Sequence, residues 1–324
     1  MKRVLRGVGI GAAGLILLVA GLYAWASLAT NRATARTVEV HAVDFPVPFP
    51  LTAEERAELG IEDPDEAERV ALERARERGQ HLVEARYACG ECHGDNFGGG
   101  IMVDAFPLGS LLGPNLTSGR GGVVSEYTVA DWDRIVRHGV LPDGRVAVMP
   151  SEDFLRMSDQ ELSDIIAYIG SLDPVDNEVP RSRFGPLGRI LVATGQIHWS
   201  ADMIDSHFDT HRERPPPAEV SVAFGEHLAG VCAGCHGMEL TGGPIVGGDP
   251  AWGPAANLTP HADGLAGWSF DDFRRAMLEN RRPDGSEIVE PMSFVTPFAQ
   301  RMTEVELEAL WVYLASLEPR ARGS

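Results

Sequence analysis

Apolar residues in two stretches of the chain recur at helical spacing. Leu162, Ile165, Ile166, Ile169 and Leu172 fall at i, i+3, i+4, i+7 and i+10, and Leu307, Leu310, Trp311, Leu314 and Leu317 repeat that spacing. Each set predicts an amphipathic helix burying one stripe. Ser158 with Glu161, and Thr303 with Glu306, read as capping boxes that open these helices. Upstream of each lies a second helical pattern. Thr128 or Ser269 serves as its N-cap, with Val129, Trp132 and Val136, or Phe270, Phe273 and Met277, turned inward. No stretch alternates in the manner of a strand, so the expected fold is all-α. Glycine and proline are abundant (36 and 22 residues), which makes much of the chain between helices loop.

The N-terminus has a different pattern. Gly7 to Ala29 carries no charge; a helix of that length spans about 34 Å, enough to cross a bilayer core. Lys2, Arg3 and Arg6 precede it, which orients the N-terminus to the cytoplasm. A cleaved leader is the alternative, with "AWA" and "SLA" as cleavage sites, but the apolar run exceeds the usual leader core of about 7–15 residues. Both readings place the rest of the chain outside the cytoplasm. Residues 31–50 read as an extended arm ending in "DFPVPFP". Residues 54–78, rich in Glu, Arg and Ala, read as a solvated helix with Asp65, Glu66 and Glu73 in reach of Arg69 and Arg76.

The chain repeats itself. "GQHLVEARYACGECHG" answers "GEHLAGVCAGCHG", "GPNLT" answers "GPAANLT", "PDG" recurs, "AVMP" answers "EPMS", and "ELSDIIAYIGSL" answers "ELEALWVYLASL", all in the same order. The expected organisation is a transmembrane anchor over 1–30, an arm and charged helix over 31–78, a first domain over 79–172, a linker over 173–219, a second domain over 220–318 and a tail over 319–324. Within the linker, "PLGRILVATGQIHW" could form a short helix packed between the domains, with the membrane surface as the other option. "RERPPP" reads as a stiff spacer.

Charge and cysteine narrow the chemistry. The formal net charge is −19, which disfavours nucleic acid and suits a partner with a basic docking surface. The four cysteines are Cys89, Cys92, Cys232 and Cys235, so no disulfide scaffold is built. They lie in two copies of CxxCH, completed by His93 and His236. That pentapeptide is an attachment sequence for c-type haem. Two cysteines three apart can form thioethers to the two vinyl groups of one porphyrin edge, and the next residue supplies an axial nitrogen. The alternatives are a redox CxxC pair or a zinc site made from both pairs. Repetition of the histidine in matched repeats weighs against them, and two covalently bound haem c groups are expected.

The other axial ligand must come from the opposite face, and a methionine thioether suits ferrous iron. Met157 and Met302 precede N-caps and read as hydrophobic staples against Leu162 and Leu307. Met277 belongs to a buried stripe, and Met102 and Met238 occupy unmatched places. Met149 and Met292, each beside a proline and after "PDG", are the expected ligands. His138 is the minor alternative; at a helix C-terminus its charge would suit the dipole. His81 and His227 are expected to face solvent.

With these motifs in hand, residues 79–172 and 220–318 resemble class I c-type cytochromes of the membrane-anchored dihaem group. The resemblance implies two tandem cytochrome c domains. In each, the helix before CxxCH crosses the last helix. It also implies that the Pro114 carbonyl of "GPNL" orients His93, and that "DG…MP" carries Met149. In the second copy two alanines separate Pro254 from Asn257, and the proline precedes Met292, so those assignments do not carry over directly. The function implied is electron transfer in a respiratory chain. It would run between a quinol- or substrate-oxidising complex and a terminal acceptor such as an oxidase, in the periplasm at the cytoplasmic membrane, with redox proteins as partners and no nucleic acid. A dihaem peroxidase is the alternative; it would need an open iron position and acid–base groups beside it. The differences between the copies predict two inequivalent haems.

Overall fold

The structure, a computed structural model, describes residues 2–245, 248 and 251–324, with side chains described from Arg6 onward. Helix α1 runs over Lys2–Ala35. Within it Arg6–Ala35 is long and apolar enough to cross a membrane. Its residues from Arg6 to Ala24 are exposed, and burial begins at Ala26 and Thr30. The expected anchor thus continues as a helix into the arm, and only the part after Ala35 is extended. That part is not a loose tether: Phe45 and Phe49 are buried in the first half's core.

The first half contains α2 (Ala53–Leu59), α3 (Pro64–His81), α4 (Gly90–His93), α5 (Val129–His138) and α6 (Asp159–Ile169). The charged helix and the "GQHL" segment are one helix, since α3 passes through Gly79; its buried face is Ala71, Ala75 and Gly79. It crosses α6 so closely that a Cβ on Gly79 would stand 2.1 Å from the Asp164 carbonyl oxygen. Leu162, Ile165 and Ile169 fill the core as their spacing predicts, with Leu82, Val83, Phe97, Trp132 and Met157. Full burial of one such leucine stabilises the fold by about 1.5–3 kcal/mol.

The all-α expectation requires one correction. A three-stranded antiparallel sheet orders β1 (Gly100–Ala105), β2 (Gly109–Gly113) and β3 (Arg183–Phe184). Its hairpin is irregular between Ile101 and Val103, and β3 adds only two residue pairs. Strands so short, with glycine at their ends, leave no alternating pattern to detect.

The connection carries α7 (Pro186–Ala193) and α8 (Ser200–Met203). Helix α7 does not pack between the halves; it lies against the end of α1, where Thr30 Oγ1 donates to the Arg189 carbonyl at 3.2 Å. The "RERPPP" region is tied down as well. Asp159 and Gln160 donate backbone N–H groups to Arg212 and Glu213, at 2.9 and 3.0 Å.

The second half contains α9 (Val222–Leu228), α10 (Ala233–His236), α11 (Phe270–Glu279), α12 (Thr296–Ala299) and α13 (Glu304–Ser316). Its own core is built by Phe224, Leu228, Leu240, Leu265, Phe273, Leu310 and Leu314. Helix α9 crosses α13 at Gly225, where a Cβ would stand 2.0 Å from the Ala309 carbonyl oxygen. Capping boxes open α5, α6, α11 and α13.

The halves meet through a reciprocal set of hydrogen bonds and arginine–carboxylate ion pairs. His81 Nε2 contacts Glu306 at 2.9 Å, and its counterpart His227 contacts Glu161 at 2.9 Å. Arg86 joins both carboxylates, at 3.0 Å to Glu161 and 2.5 Å to Glu306. His227 therefore does not face solvent as expected, its side chain being only 6% exposed, while His81, 31% exposed, is turned onto Glu306. The two glutamates cap their own helices and pair with the opposite half.

Candidate functional site

Each CxxCH segment forms a tight helical turn just after the helix that crosses the last helix of its half. The turns differ in approach. A π-helical stretch over Leu82–Arg86 leads into Cys89, whereas a 3-10 turn over Ala229–Cys232 leads into Ala233. The first copy is longer here by three residues, and Arg86 lies within the extra length.

The two histidines are held alike. His93 Nδ1 lies 3.0 Å from the Pro114 carbonyl, and His236 Nδ1 lies 2.8 Å from the Ala256 carbonyl. A carbonyl accepts only, so Nδ1 carries the proton and Nε2 keeps its lone pair. Burial lowers the pKa of both rings, against the raising effect of those carbonyls, so both are neutral at pH 7. A neutral imidazole with Nδ1–H fixed by a carbonyl is the form that ligates a metal.

The acceptor in the second half is Ala256, a residue sequence reasoning missed. Pro254, set apart from Asn257 by two alanines, does not take the part that Pro114 takes in the first half. The signal was present in "NLT": the carbonyl immediately before the asparagine is the acceptor in both copies. The asparagines explain why. Asn115 Oδ1 accepts from the Thr117 N–H and hydroxyl at 2.8 Å each, while its Nδ2 donates to the Val175 carbonyl at 2.7 Å. Asn257 does the same with Thr259 (2.9 and 2.8 Å) and the Arg320 carbonyl (2.7 Å). Each asparagine clamps its loop to the chain just after the last helix.

The thiols lack the activation of a redox CxxC pair. Burial pushes Cys89 and Cys232 up to about 12, and it raises Cys92 and Cys235 as well. A redox CxxC needs a lowered thiol pKa. Among the described residues, the one group of three ligating side chains close enough to share a metal ion includes no cysteine.

The methionines differ in setting. Met149 packs against the first core, and its carbonyl accepts a hydrogen bond from the Ser200 hydroxyl. Met292 opens a 3-10 turn over Met292–Val295 that exposes Phe294 and Val295. Met157 and Met302 pack beside their cores as staples, and Met238 is exposed. The segment following Met149 reaches the other half: the Asp153 carboxylate lies against Gly234, between Cys232 and Cys235. Burial and Glu152 raise Asp153 to about 7.

His138 departs from its expected role. It is fully buried, and burial pushes it down to about 4, so it carries no charge toward the end of α5. His207 and His211 flank it.

The geometry suits a c-type haem site in each half, and comparison with known proteins points the same way. Residues 74–169 match the family described as cytochrome C oxidase, cbb3-type, subunit III; this part of the chain is a cytochrome c domain, for which covalent haem is implied. The cytochrome c subunit of alcohol dehydrogenase (quinone) from Gluconacetobacter polyoxogenes is 28% identical over 257 residues, covering 70% of this chain and 52% of that protein. The gluconate 2-dehydrogenase cytochrome c subunit of Pantoea cypripedii is 26% identical, covering 74% and 59%. A diheme cytochrome c-type protein of Cereibacter sphaeroides is 24% identical, covering 64% and 71%. The chain spans about half the length of the first of these relatives.

Proposed function

We propose that the chain is a dihaem c-type cytochrome with two tandem domains. It serves as the electron-transfer subunit of a membrane oxidoreductase, or as a carrier between such a complex and a terminal acceptor. Cys89, Cys92 and His93 hold one haem, with Met149 as the sixth ligand. Cys232, Cys235 and His236 hold the other, with Met292. When bound, each haem supplies a one-electron ferric/ferrous couple. The protein's part is to fix the ligands and exclude water. Pro114 and Ala256 set the imidazole tautomer, Asn115 and Asn257 hold those carbonyls in place, and the cores wall off each pocket.

The observation that carries this reading is the paired carbonyl bond to Nδ1 of His93 and His236, which presents a neutral Nε2 beside two thiols in both halves. Contact between the Met149–Asp153 segment and the Cys232–Cys235 turn supports transfer within the chain. The anchor is α1, in the cytoplasmic membrane, with the haem domains on the periplasmic side. The named relatives favour a dehydrogenase complex as setting. The net charge of −19 favours a partner that docks through a basic surface. Haem counted against protein should give two per chain, falling to one in Cys89→Ala/Cys92→Ala and in Cys232→Ala/Cys235→Ala. One haem in the wild type refutes the reading.

A further inference from the structure

A second cluster of ligating side chains lies apart from both CxxCH turns. His138, at the end of α5, sits between two histidines of the connection. Its Nδ1 is 3.2 Å from His207 Nδ1, and its Nε2 is 3.2 Å from His211 Nε2. The outer nitrogens are already used. His207 Nε2 donates to the Ala201 carbonyl at 2.9 Å, and His211 Nδ1 donates to the Leu155 carbonyl at 3.1 Å.

Proton counting then constrains the centre. Each neutral imidazole has one N–H. Those of His207 and His211 point away to carbonyls, so both offer lone pairs to His138. His138 has one N–H for two acceptors. When it donates to His207, its Nε2 lone pair faces the His211 Nε2 lone pair across 3.2 Å. A carboxylate oxygen of Asp133 stands beside them, and the three ligand atoms all lie within 4.8 Å of one another. Asp133 is itself fixed, accepting from the Val43 N–H at 2.7 Å and Arg137 Nε at 2.6 Å. Arg137 also binds Asp159 at 2.7 Å, so the two carboxylates outweigh the one guanidinium. Two opposed lone pairs and a negative excess in an interior call for a cation.

The spacing suits a metal ion. Tetrahedral zinc with Zn–N of about 2.0–2.1 Å has an N···N edge of about 3.3 Å. Backbone carbonyls on the far nitrogen of His211 are the usual outer support of such a ligand.

We propose that Asp133, His138 and His211 form a site for one divalent transition-metal ion of the imidazole-preferring class, Zn2+ or Cu2+, with a fourth position for water. His207 is a positioning residue that fixes the His138 tautomer. The site fastens the connection to α5.

The test uses the untagged protein with both haems attached. It is stripped with chelator, loaded with Zn2+ and passed through gel filtration; metal is then counted against haem iron. One zinc per chain is expected, and Cu2+ in its place should show nitrogen hyperfine coupling from two imidazoles in electron paramagnetic resonance. His211→Gln should weaken retention at least tenfold with the haem spectrum unchanged, and His207→Gln about 10–100-fold. Equal retention in wild type and His211→Gln overturns the proposal, and so does a wild type that binds neither ion. A nitrogen-15 spectrum of the metal-loaded sample showing both His138 nitrogens protonated also overturns it, because a proton then fills the place of the metal.

Discussion

Glu306 offers a quantitative handle on the joint between the halves. Its carboxylate accepts from the Thr303 N–H at 2.8 Å as part of a capping box, and it pairs with His81 and Arg86 of the first half. Burial alone would raise its pKa, but the His81 hydrogen bond, the Arg86 charge and the cap outweigh burial and hold it at about 2, against an ordinary value of 4.5. A depressed carboxylate contributes stability that is fully present above the unfolded value and is lost as pH falls toward the folded one. At about 1.4 kcal/mol per pH unit, the contribution is about 3 kcal/mol at pH 7. It should vanish progressively between about pH 4.5 and pH 2. Glu306→Gln isolates it from acid effects on the haem ligands, because those act equally on variant and wild type. Guanidinium denaturation of the holoprotein, followed by tryptophan fluorescence, should show the variant less stable by about 3 kcal/mol at pH 7. The difference should be close to zero near pH 2. An equal difference at both pH values, or none at pH 7, refutes the reasoning.

Other perturbations test the packing and the loops. Gly79→Ala and Gly225→Ala each push a methyl to about 2 Å from a carbonyl oxygen of the crossing helix. Each should cost about 1–3 kcal/mol as the helices part, read as a fall in the melting temperature of the holoprotein. Asn115→Ala and Asn257→Ala leave a buried threonine N–H without its acceptor, the hydroxyls keeping the Val175 and Arg320 carbonyls, at a cost of about 1–3 kcal/mol. Each should also shift the reduction potential of its own haem more than that of the other, seen in a redox titration. Arg86→Leu leaves Glu161 and Glu306 facing each other without their shared cation, and limited proteolysis between the halves should accelerate.

Much of this architecture was legible because it rests on local rules. The capping boxes, the stripe of Leu162 and Leu307 and the staple of Met157 depend on neighbours within two helical turns, so spacing alone exposes them. The failures come from long-range pairing. His81 and His227 look like ordinary surface residues on polar helices, and only docking of the halves turns them toward Glu306 and Glu161. The same holds for His138, whose neighbours His207 and His211 lie about 70 residues away. The small sheet escaped because β3 is two residues long and belongs to the connection, about 70 residues along the chain from its partner β2. Ala256 was hidden by an insertion that moved the proline but preserved the asparagine clamp.

The two halves share a frame but not a methionine side, and this difference sets a direction for their potentials. Met149 is braced by the first core, and Ser200 of the connection holds its carbonyl. Around Met292 the chain is open: Val289 is 66% exposed and Phe294 51%. Water near a haem favours the more highly charged ferric state, and a loosely held thioether stabilises ferrous iron less effectively. On the proposed ligand set, the haem held by His236 and Met292 should therefore have the lower midpoint potential and the weaker sixth ligand. A spectroelectrochemical titration should resolve two waves, and Cys232→Ala/Cys235→Ala should remove the lower one. Added imidazole should displace Met292 before Met149, seen as loss of the methionine-ligated signal from half the haem first. A single wave refutes the inequivalence, and loss of the upper wave in that variant refutes its assigned direction.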